Sequence, residues 1–264
     1  MSSDTRPAND RTRPSPPSEG MAGLAKGLAV IEAFGAERTQ MTVTEAARAV
    51  SLSPAAARRC LLTLTELGYL VQEDRYFRPT PRMMRLGEAY LEGATLPTLA
   101  RPFVEAGRDE LGESMSLAVY DEGTALFVAR AEVHRIVSTG VRLGARLPAY
   151  ASATGRVLLA GLPEEERERY LRTCEPRRTT PHSVTTIPEI RDRIEAAAAE
   201  GFAVTDEELE LGMRSMAVPV VDSAGRVHAA MSTSVFVARV TMEEMRRRYL
   251  PVLRAQAAAL GRLL

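Results

Sequence analysis

The sequence predicts an α+β protein with a small helical part followed by a larger part built on a mostly antiparallel sheet. Three short segments before residue 68 carry apolar residues at helical spacing. Beyond residue 101, strand-like stretches joined by tight turns are mixed with helical ones. At 264 residues the chain is long enough for two domains of ordinary size.

Residues 1–20 precede the first of these patterns. They contain four prolines and four serines but no Leu, Ile, Val or Phe. Such a segment buries too little apolar surface to offset its ordering entropy, so we expect a disordered tail. It also lacks the apolar core of a signal peptide, and the apolar runs elsewhere are too short to span a bilayer. We therefore expect a cytoplasmic protein.

The first two helices follow the tail. Leu24, Leu28 and Ile31 recur at three- and four-residue spacing and predict the first helix. The second helix begins near Thr42, and Glu45 is spaced to complete a capping box with it.

A third helix and a hairpin come next. Ser53 is placed to cap the helix, with Pro54 at its first position, where the missing N–H does no harm. Gly68 ends the helix. Residues 69–72 and 76–79 flank a polar turn and predict a two-stranded hairpin. This order of elements is that of a winged helix-turn-helix.

In such a motif the third helix lies in the major groove of DNA. Small side chains at its start allow close approach, arginines one turn later reach base edges or phosphates, and the hairpin follows the backbone. The candidate DNA-binding residues are Ser53, Ala55, Ala56, Arg58, Arg59, Arg75 and Arg78. Residues 53–86 carry six arginines against three acidic residues, although the whole chain has a net charge of zero. The alternatives are an ordinary solvated face or a subdomain that binds another protein.

A connecting helix is predicted at 80–94 within a linker over 80–100, and we expect Pro97 and Pro102 to interrupt it. The remaining elements form the larger part. Its strands are predicted at 114–120, 124–130, 136–141, 202–206, 215–221 and 229–236. Its helices are predicted at 103–111, 152–162, 163–172, 187–200 and 241–264.

Metal and cofactor sites find no support in the sequence. Its histidines and cysteines are scattered without ligand spacing: His134, His182, His228, Cys60 and Cys174. No phosphate loop, dinucleotide fingerprint or nucleophile elbow is present. We expect no metal and no cofactor.

An acidic cluster offers the one candidate for catalytic carboxylates. It consists of Asp206, Glu207, Glu208 and Glu210. No nucleophile or base accompanies it, and Arg214 is available as a charge partner. We therefore expect these residues to be structural.

Three segments carry a family resemblance. They are LPAYASATGRVLLA at 147–160, GFAVTDEELELGMRSMAVP at 201–219 and AAMSTS at 229–234. In this order, behind a winged helix, they resemble the IclR family of bacterial transcription regulators. Residues 42–91 are similar to its β-ketoadipate group, the PcaR- and PobR-like regulators that respond to protocatechuate and 4-hydroxybenzoate.

The resemblance implies a ligand-responsive regulator of catabolic genes, in which a GAF-like domain binds a small organic acid. It implies a DNA-binding domain over 21–79, a linker helix over 80–100 and an effector domain over 101–264. It also implies dimers formed through the DNA-binding part, often paired into tetramers. The rival interpretation is a small-molecule-metabolising enzyme that retains a DNA-binding domain.

The resemblance places the effector contacts on six residues: Ala153, Thr154, Thr205, Ser215, Ser232 and Ser234. Elementary geometry agrees in part, because a helix start offers N–H groups to an anion and residues two apart on a strand share a face. The small residues at the helix start could equally serve close packing. Thr205 stands where the family often has Asp, and Ser215 where some members have Cys. We expect neutral donors to hold a small aromatic carboxylate without a dedicated counter-ion.

Overall fold

A computed structural model describes residues 20–35, 38–93, 95–133 and 141–264. The chain divides into two compact units, Met1–Tyr90 and Leu91–Leu264. Apart from Gly20 and Val141, the predicted tail and the predicted strand at 136–141 lie outside the described residues, as does His134.

The first unit contains three helices and a hairpin, as predicted. The helices are α1 (Ala22–Glu32), α2 (Val43–Ala49) and α3 (Pro54–Glu66), and the strands are β1 (Leu70–Glu73) and β2 (Tyr76–Pro79). The predicted capping box is confirmed, since Thr42 and Glu45 each accept a hydrogen bond from the other's backbone N–H. Ser53 caps α3 through the N–H of Ala56. Caps of this kind satisfy helix donors that otherwise lack acceptors.

A small apolar core joins the helices to the hairpin. Leu61 of α3, Ala46 of α2 and Phe77 of β2 are buried in it. Met41, just before α2, exchanges two backbone hydrogen bonds with Phe77, at 3.0 and 2.8 Å. The hairpin is therefore attached to the helices by backbone pairing as well as by side-chain packing.

The segment after the hairpin is helical, but its prolines do not end the helix where the sequence predicts. A 3-10 turn (Pro81–Met83) leads into α4 (Met84–Gly93), and α5 runs over Thr95–Leu111. Pro97 falls in the first turn of α5, where its missing N–H costs nothing. Pro102 lies inside α5, which packs on the core through Ala100 and Val104. The prediction of an interruption at these prolines is wrong, because this packing outweighs the loss of one helical hydrogen bond.

The second unit is built on a six-stranded antiparallel sheet in the order β5-β4-β3-β8-β7-β6. Its strands are β3 (Met115–Asp121), β4 (Thr124–Ala131), β5 (Arg146–Pro148), β6 (Ala203–Asp206), β7 (Met213–Val221) and β8 (Val227–Phe236). Short β5 at the edge was not predicted. The other described strands were predicted to within two residues at their ends.

Helices cover both faces of this sheet. They are α6 (Ala153–Ala160), α7 (Glu164–Thr173), α8 (Ile187–Glu200), α9 (Met242–Glu244) and α10 (Leu250–Gly261), with a π-helical turn (Met245–Tyr249) between the last two. On one face, α5 and α10 bury the larger core, which contains Leu117, Met216 and Met231. On the other face, α6 packs against alanines at neighbouring strand positions, Ala118, Ala217 and Ala230. These small side chains let a helix approach the sheet closely.

Candidate functional site

The start of α3 presents two arginines on the surface of the first unit. Arg58 and Arg59 are exposed, as are Ser53 and Ala55. In the part of the chain that the structure describes, neither guanidinium is in an ion pair. Ala56 differs from the expectation, since it is only 9% exposed and packs inward. It contributes its backbone N–H to the Ser53 cap rather than a surface for close approach.

The two hairpin arginines are exposed but engaged within the hairpin. Arg78 forms an ion pair with Glu73. Arg75 donates to the hydroxyl of Tyr76 at 3.1 Å, and its guanidinium lies 5.1 Å from the centre of that ring. Compared with Arg58 and Arg59, Arg78 therefore offers less uncompensated positive charge.

A second candidate site lies between α6 and the sheet. Four strands carry hydroxyls on the face that α6 covers, in adjacent register positions: Thr205, Ser215, Ser232, Ser234 and Ser116. The hydroxyls of Ser215 and Ser234 lie 2.8 Å apart and bond to each other. The structure thus brings together the four predicted sheet residues of the effector site, and adds Ser116.

The first turn of α6 supplies backbone donors at this place. Ser152 caps the helix by accepting from the N–H of Gly155 at 3.0 Å. Within the described residues, the N–H groups of Ala153 and Thr154 have no acceptor. Gly155 also serves packing, because a Cβ there would lie 2.3 Å from the Cα of Ala149. Close packing is therefore confirmed at Gly155, while the role of the Ala153 and Thr154 amides in binding an anion stays a prediction.

Three of the predicted hydroxyls are buried without a partner. The residues Thr154, Thr205 and Ser232 are 3%, 5% and 5% exposed. Among the described residues none of their hydroxyls makes a hydrogen bond. Yet no polar side-chain atom in this part of the chain is both sealed from solvent and unpartnered. Each of the three hydroxyls therefore keeps some accessible surface, through which a water or a ligand can reach it.

Sequence reasoning missed a buried cation at the edge of this face. Arg130 of β4 donates from Nη1 to the Ser116 hydroxyl at 2.8 Å, and its side chain is 7% exposed. Its Nε donates to Glu132 at 2.8 Å. Residues 124–131 show no clean alternation of polar and apolar side chains, and only the pairing of β3 with β4, with its register shift at Leu117 and Ala118, places Arg130 on the same sheet face as Ser116.

The acidic cluster is held by structural partners. Asp206 forms a bidentate ion pair with Arg214, as the sequence suggested. Glu207 accepts from the N–H of Gly212 at 2.7 Å, and Glu208 pairs with Arg156. These contacts fix the loop between β6 and β7, which is the role expected for the cluster.

The described residues contain no group of three or more His, Cys, Asp or Glu side chains arranged to hold a metal ion. Nor does any of their helices combine the length and apolar character needed to cross a membrane.

Comparison with known proteins matches both units. Residues 23–74 match the family model described as IclR helix-turn-helix domain, and residues 88–262 match Bacterial transcriptional regulator IclR C-terminal. The Pca regulon regulatory protein of Pseudomonas putida is 37% identical over 236 residues, covering 89% of this chain and 81% of the relative. The p-hydroxybenzoate hydroxylase transcriptional activator of Acinetobacter baylyi is 36% identical over 248 residues, covering 92% of each.

Solved structures of transcription regulators also match the chain over most of its length. A putative transcriptional regulator from Rhodococcus sp. RHA1 is 40% identical, with a TM-score of 0.78 over 92% of this chain and 97% of that one. An IclR homolog from Microbacterium hydrocarbonoxydans, solved as a complex with 4-hydroxybenzoate, is 28% identical, with a TM-score of 0.73 over 91% of this chain and 98% of that one.

Proposed function

The chain belongs to the IclR family of bacterial transcription regulators, and we propose that it controls genes of aromatic acid catabolism by binding a small aromatic carboxylate. The first unit would bind double-stranded operator DNA and the second unit the effector. Residues 80–100, helical from Pro81 onward where described, would connect the two functions. Regulation then requires that the effector prefer one DNA-binding arrangement over another, by its difference in affinity for the two.

The effector proposal rests on the unpartnered hydroxyls of α6 and of the sheet face that it covers. Thr154, Thr205 and Ser232 are buried donors that lack protein acceptors in the described chain, and the amides of Ala153 and Thr154 add two more. A carboxylate is an acceptor only, so it satisfies several such donors at once. Hydrogen bonds to a charged group contribute about 1.5–3 kcal/mol each. Relatives named for the pca regulon and for p-hydroxybenzoate hydroxylase support an aromatic ligand.

The DNA proposal rests on α3. Its exposed arginines, Arg58 and Arg59, follow the capped start of the helix, the end that contacts bases in helix-turn-helix proteins. Ser53 and Ala55 lie beside them at the surface. Arg75 and Arg78 on the hairpin would contact phosphates.

We further propose that the regulator is a homodimer or a homotetramer. Along one side of α1, the apolar side chains of Met21, Leu24 and Leu28 are 77%, 61% and 45% exposed. Three apolar residues at this spacing are the pattern of a helix packed on a partner. A second copy would cover them and place two α3 helices on one palindromic operator.

We propose that the chain is not an enzyme. Three of the four carboxylates that offered a catalytic alternative, those of Asp206, Glu208 and Glu207, are engaged by Arg214, Arg156 and the Gly212 amide. As a regulator of chromosomal genes it would act in the cytoplasm. A direct assay for consumption of 4-hydroxybenzoate distinguishes a regulator from an enzyme, because only an enzyme would turn the acid over.

Calorimetry on the full chain tests the effector proposal. We expect 4-hydroxybenzoate or protocatechuate to bind and 4-hydroxybenzylamine, which carries a cation on the same ring, not to bind. Operator DNA can be enriched from a random-sequence pool, and its affinity for the chain measured with and without the acid. Failure of every aromatic acid to bind would overturn the effector class, whereas binding without any change in DNA affinity would overturn its regulatory role.

A further inference from the structure

Arg130 and Ser116 form a polar pair on the sheet face that α6 covers. They are directly opposite in the antiparallel register of β4 and β3. Arg130 donates to the Ser116 hydroxyl at 2.8 Å, and Ser116 is 3% exposed. On its other side Ser116 is opposite Ser232 of β8. A row therefore runs from a guanidinium through one hydroxyl to an unpartnered second hydroxyl.

This arrangement makes the Ser116 hydroxyl a directed donor. A serine oxygen that accepts from a cation keeps its own hydrogen for another acceptor. The guanidinium behind it polarises the hydroxyl, which strengthens the bond that the hydroxyl donates. Opposite residues of antiparallel strands have Cβ atoms about 4.5–5.5 Å apart, so the Ser116 and Ser232 hydroxyls lie within reach of one carboxylate.

The charges near the pair favour an anion. The guanidinium is nearly buried, with its side chain 7% exposed, whereas the side chain of Glu132, one of its partners, is 49% exposed. Water therefore screens the negative charge of Glu132 more than the positive charge that adjoins Ser116. Arg156, a buried arginine on α6 itself, has its charge matched by the carboxylate of Glu208, which accepts from both Nη1 and Nη2.

We propose that Ser116, supported by Arg130, binds the carboxylate of the effector and selects anions over neutral molecules of the same shape. This inference rests on the proposed function, because it uses the same pocket. It replaces the expectation of binding without a counter-ion. Arg130 then acts through Ser116 as a positioning and charge-supplying residue, and Ser232 completes the carboxylate contacts.

The test compares two ligands that differ only in charge. Dissociation constants of 4-hydroxybenzoate and 4-hydroxybenzamide are measured by calorimetry on the full-length wild type, Arg130→Gln and Ser116→Ala. We expect the wild type to bind the acid at least tenfold more tightly than the amide. In Arg130→Gln this ratio should fall close to one, mainly because the acid binds more weakly. Ser116→Ala keeps the guanidinium and should lower the ratio in part.

Arg146→Gln is the matched control. Arg146 also pairs with a carboxylate, that of Asp121, but it lies on edge strand β5 with its side chain 47% exposed. We expect it to leave both affinities unchanged. Equal weakening of acid and amide in Arg130→Gln would mean a structural role only and would overturn the inference, as would an unchanged ratio in both variants. If the wild type binds acid and amide equally, the inference fails while the effector pocket stands; if it binds neither, both fail together.

Discussion

The guanidinium of Arg156 and the carboxylate of Glu208 form a bidentate ion pair inside the second unit, with Nη1–Oε1 and Nη2–Oε2 distances of 3.1 and 2.5 Å. The Arg156 side chain is 1% exposed, and its Nε donates to the carbonyl of Tyr150 at 2.9 Å. The carbonyl of Glu208 accepts from Ser183 at 2.8 Å. The Arg156 side chain thus connects α6 with the distant loop between β6 and β7, and the backbone of Glu208 connects that loop with Ser183.

Arg156→Leu should destabilise the second unit by about 3–5 kcal/mol, because it leaves the carboxylate of Glu208 buried without its partner. Denaturant unfolding of the full chain, followed by circular dichroism, measures the change. Arg169→Ala is the control: Arg169 and its partner Glu165 have side chains 62% and 86% exposed, and an exposed pair contributes at most about 1 kcal/mol. Equal effects of the two substitutions would contradict the importance of the buried pair.

Arg58→Ala and Arg59→Ala should each weaken operator binding, by about 1–3 kcal/mol where the side chain reads a base. A residue that contacts only phosphate should weaken all sequences alike and reduce the salt dependence of binding. Fluorescence anisotropy at several salt concentrations distinguishes these cases. Arg172→Ala, an exposed arginine on α7, should leave affinity unchanged. If both α3 variants bind like the wild type, α3 does not lie in the groove.

Leu24→Glu should shift the assembly toward smaller species, because it puts a charge into the exposed apolar side of α1. Light scattering gives the mass of wild type and variant over a range of concentrations. Glu32→Gln, at the last residue of the same helix, should leave the mass unchanged. A wild type that is monomeric while binding operator tightly would refute assembly through this surface.

Asp222, in the turn between β7 and β8, should make the stability of the protein depend on pH. A hydrogen bond with the His228 side chain holds the pKa of Asp222 well below its usual 3.8, and a hydrogen bond from the Arg226 backbone N–H is the next largest cause. A carboxylate whose pKa is lowered by folding stabilises the native state above its unfolded pKa and loses that contribution as pH falls below it. Asp222→Asn should therefore be less stable than the wild type at pH 5–7, and the difference should shrink below about pH 4. A difference independent of pH in urea unfolding would show that charge plays no part; Glu243→Gln serves as an exposed reference.

The sequence predicts a structural feature well when all the residues that determine the feature lie in one short segment. Thr42 with Glu45, and Ser53 with Pro54, predicted helix starts because a cap needs only neighbouring residues. Pro102 misled because its cost is local while the packing of α5 that outweighs it is not.

The candidate site shows the same limit. The Arg130–Ser116 pair depends on the register of two strands, which includes a bulge beside Leu117 and Ala118 that no sequence pattern announced. Arg156 could have been found, since a lone charge within the otherwise apolar residues 153–160 signals a buried ion pair. Its partner Glu208 was identified only as one of several acids.

Ala153→Leu tests whether the pocket beneath α6 is the effector site. Ala153 is fully buried, packs beside Ala217 and Ala230, and provides one of the two α6 amides without an acceptor. A leucine there would occupy the space above the hydroxyls, so we expect ligand binding and the ligand response of operator binding to be lost. Operator affinity without ligand should be unchanged, because α3 belongs to the other unit. Ala196→Leu, at an exposed position of α8, adds the same bulk and should keep the response. Ser232→Ala should weaken ligand binding by about 1–3 kcal/mol through loss of a hydrogen bond to a charged group. Calorimetry and anisotropy on the same preparations decide the matter: an Ala153→Leu protein that binds the acid like the wild type places the effector elsewhere.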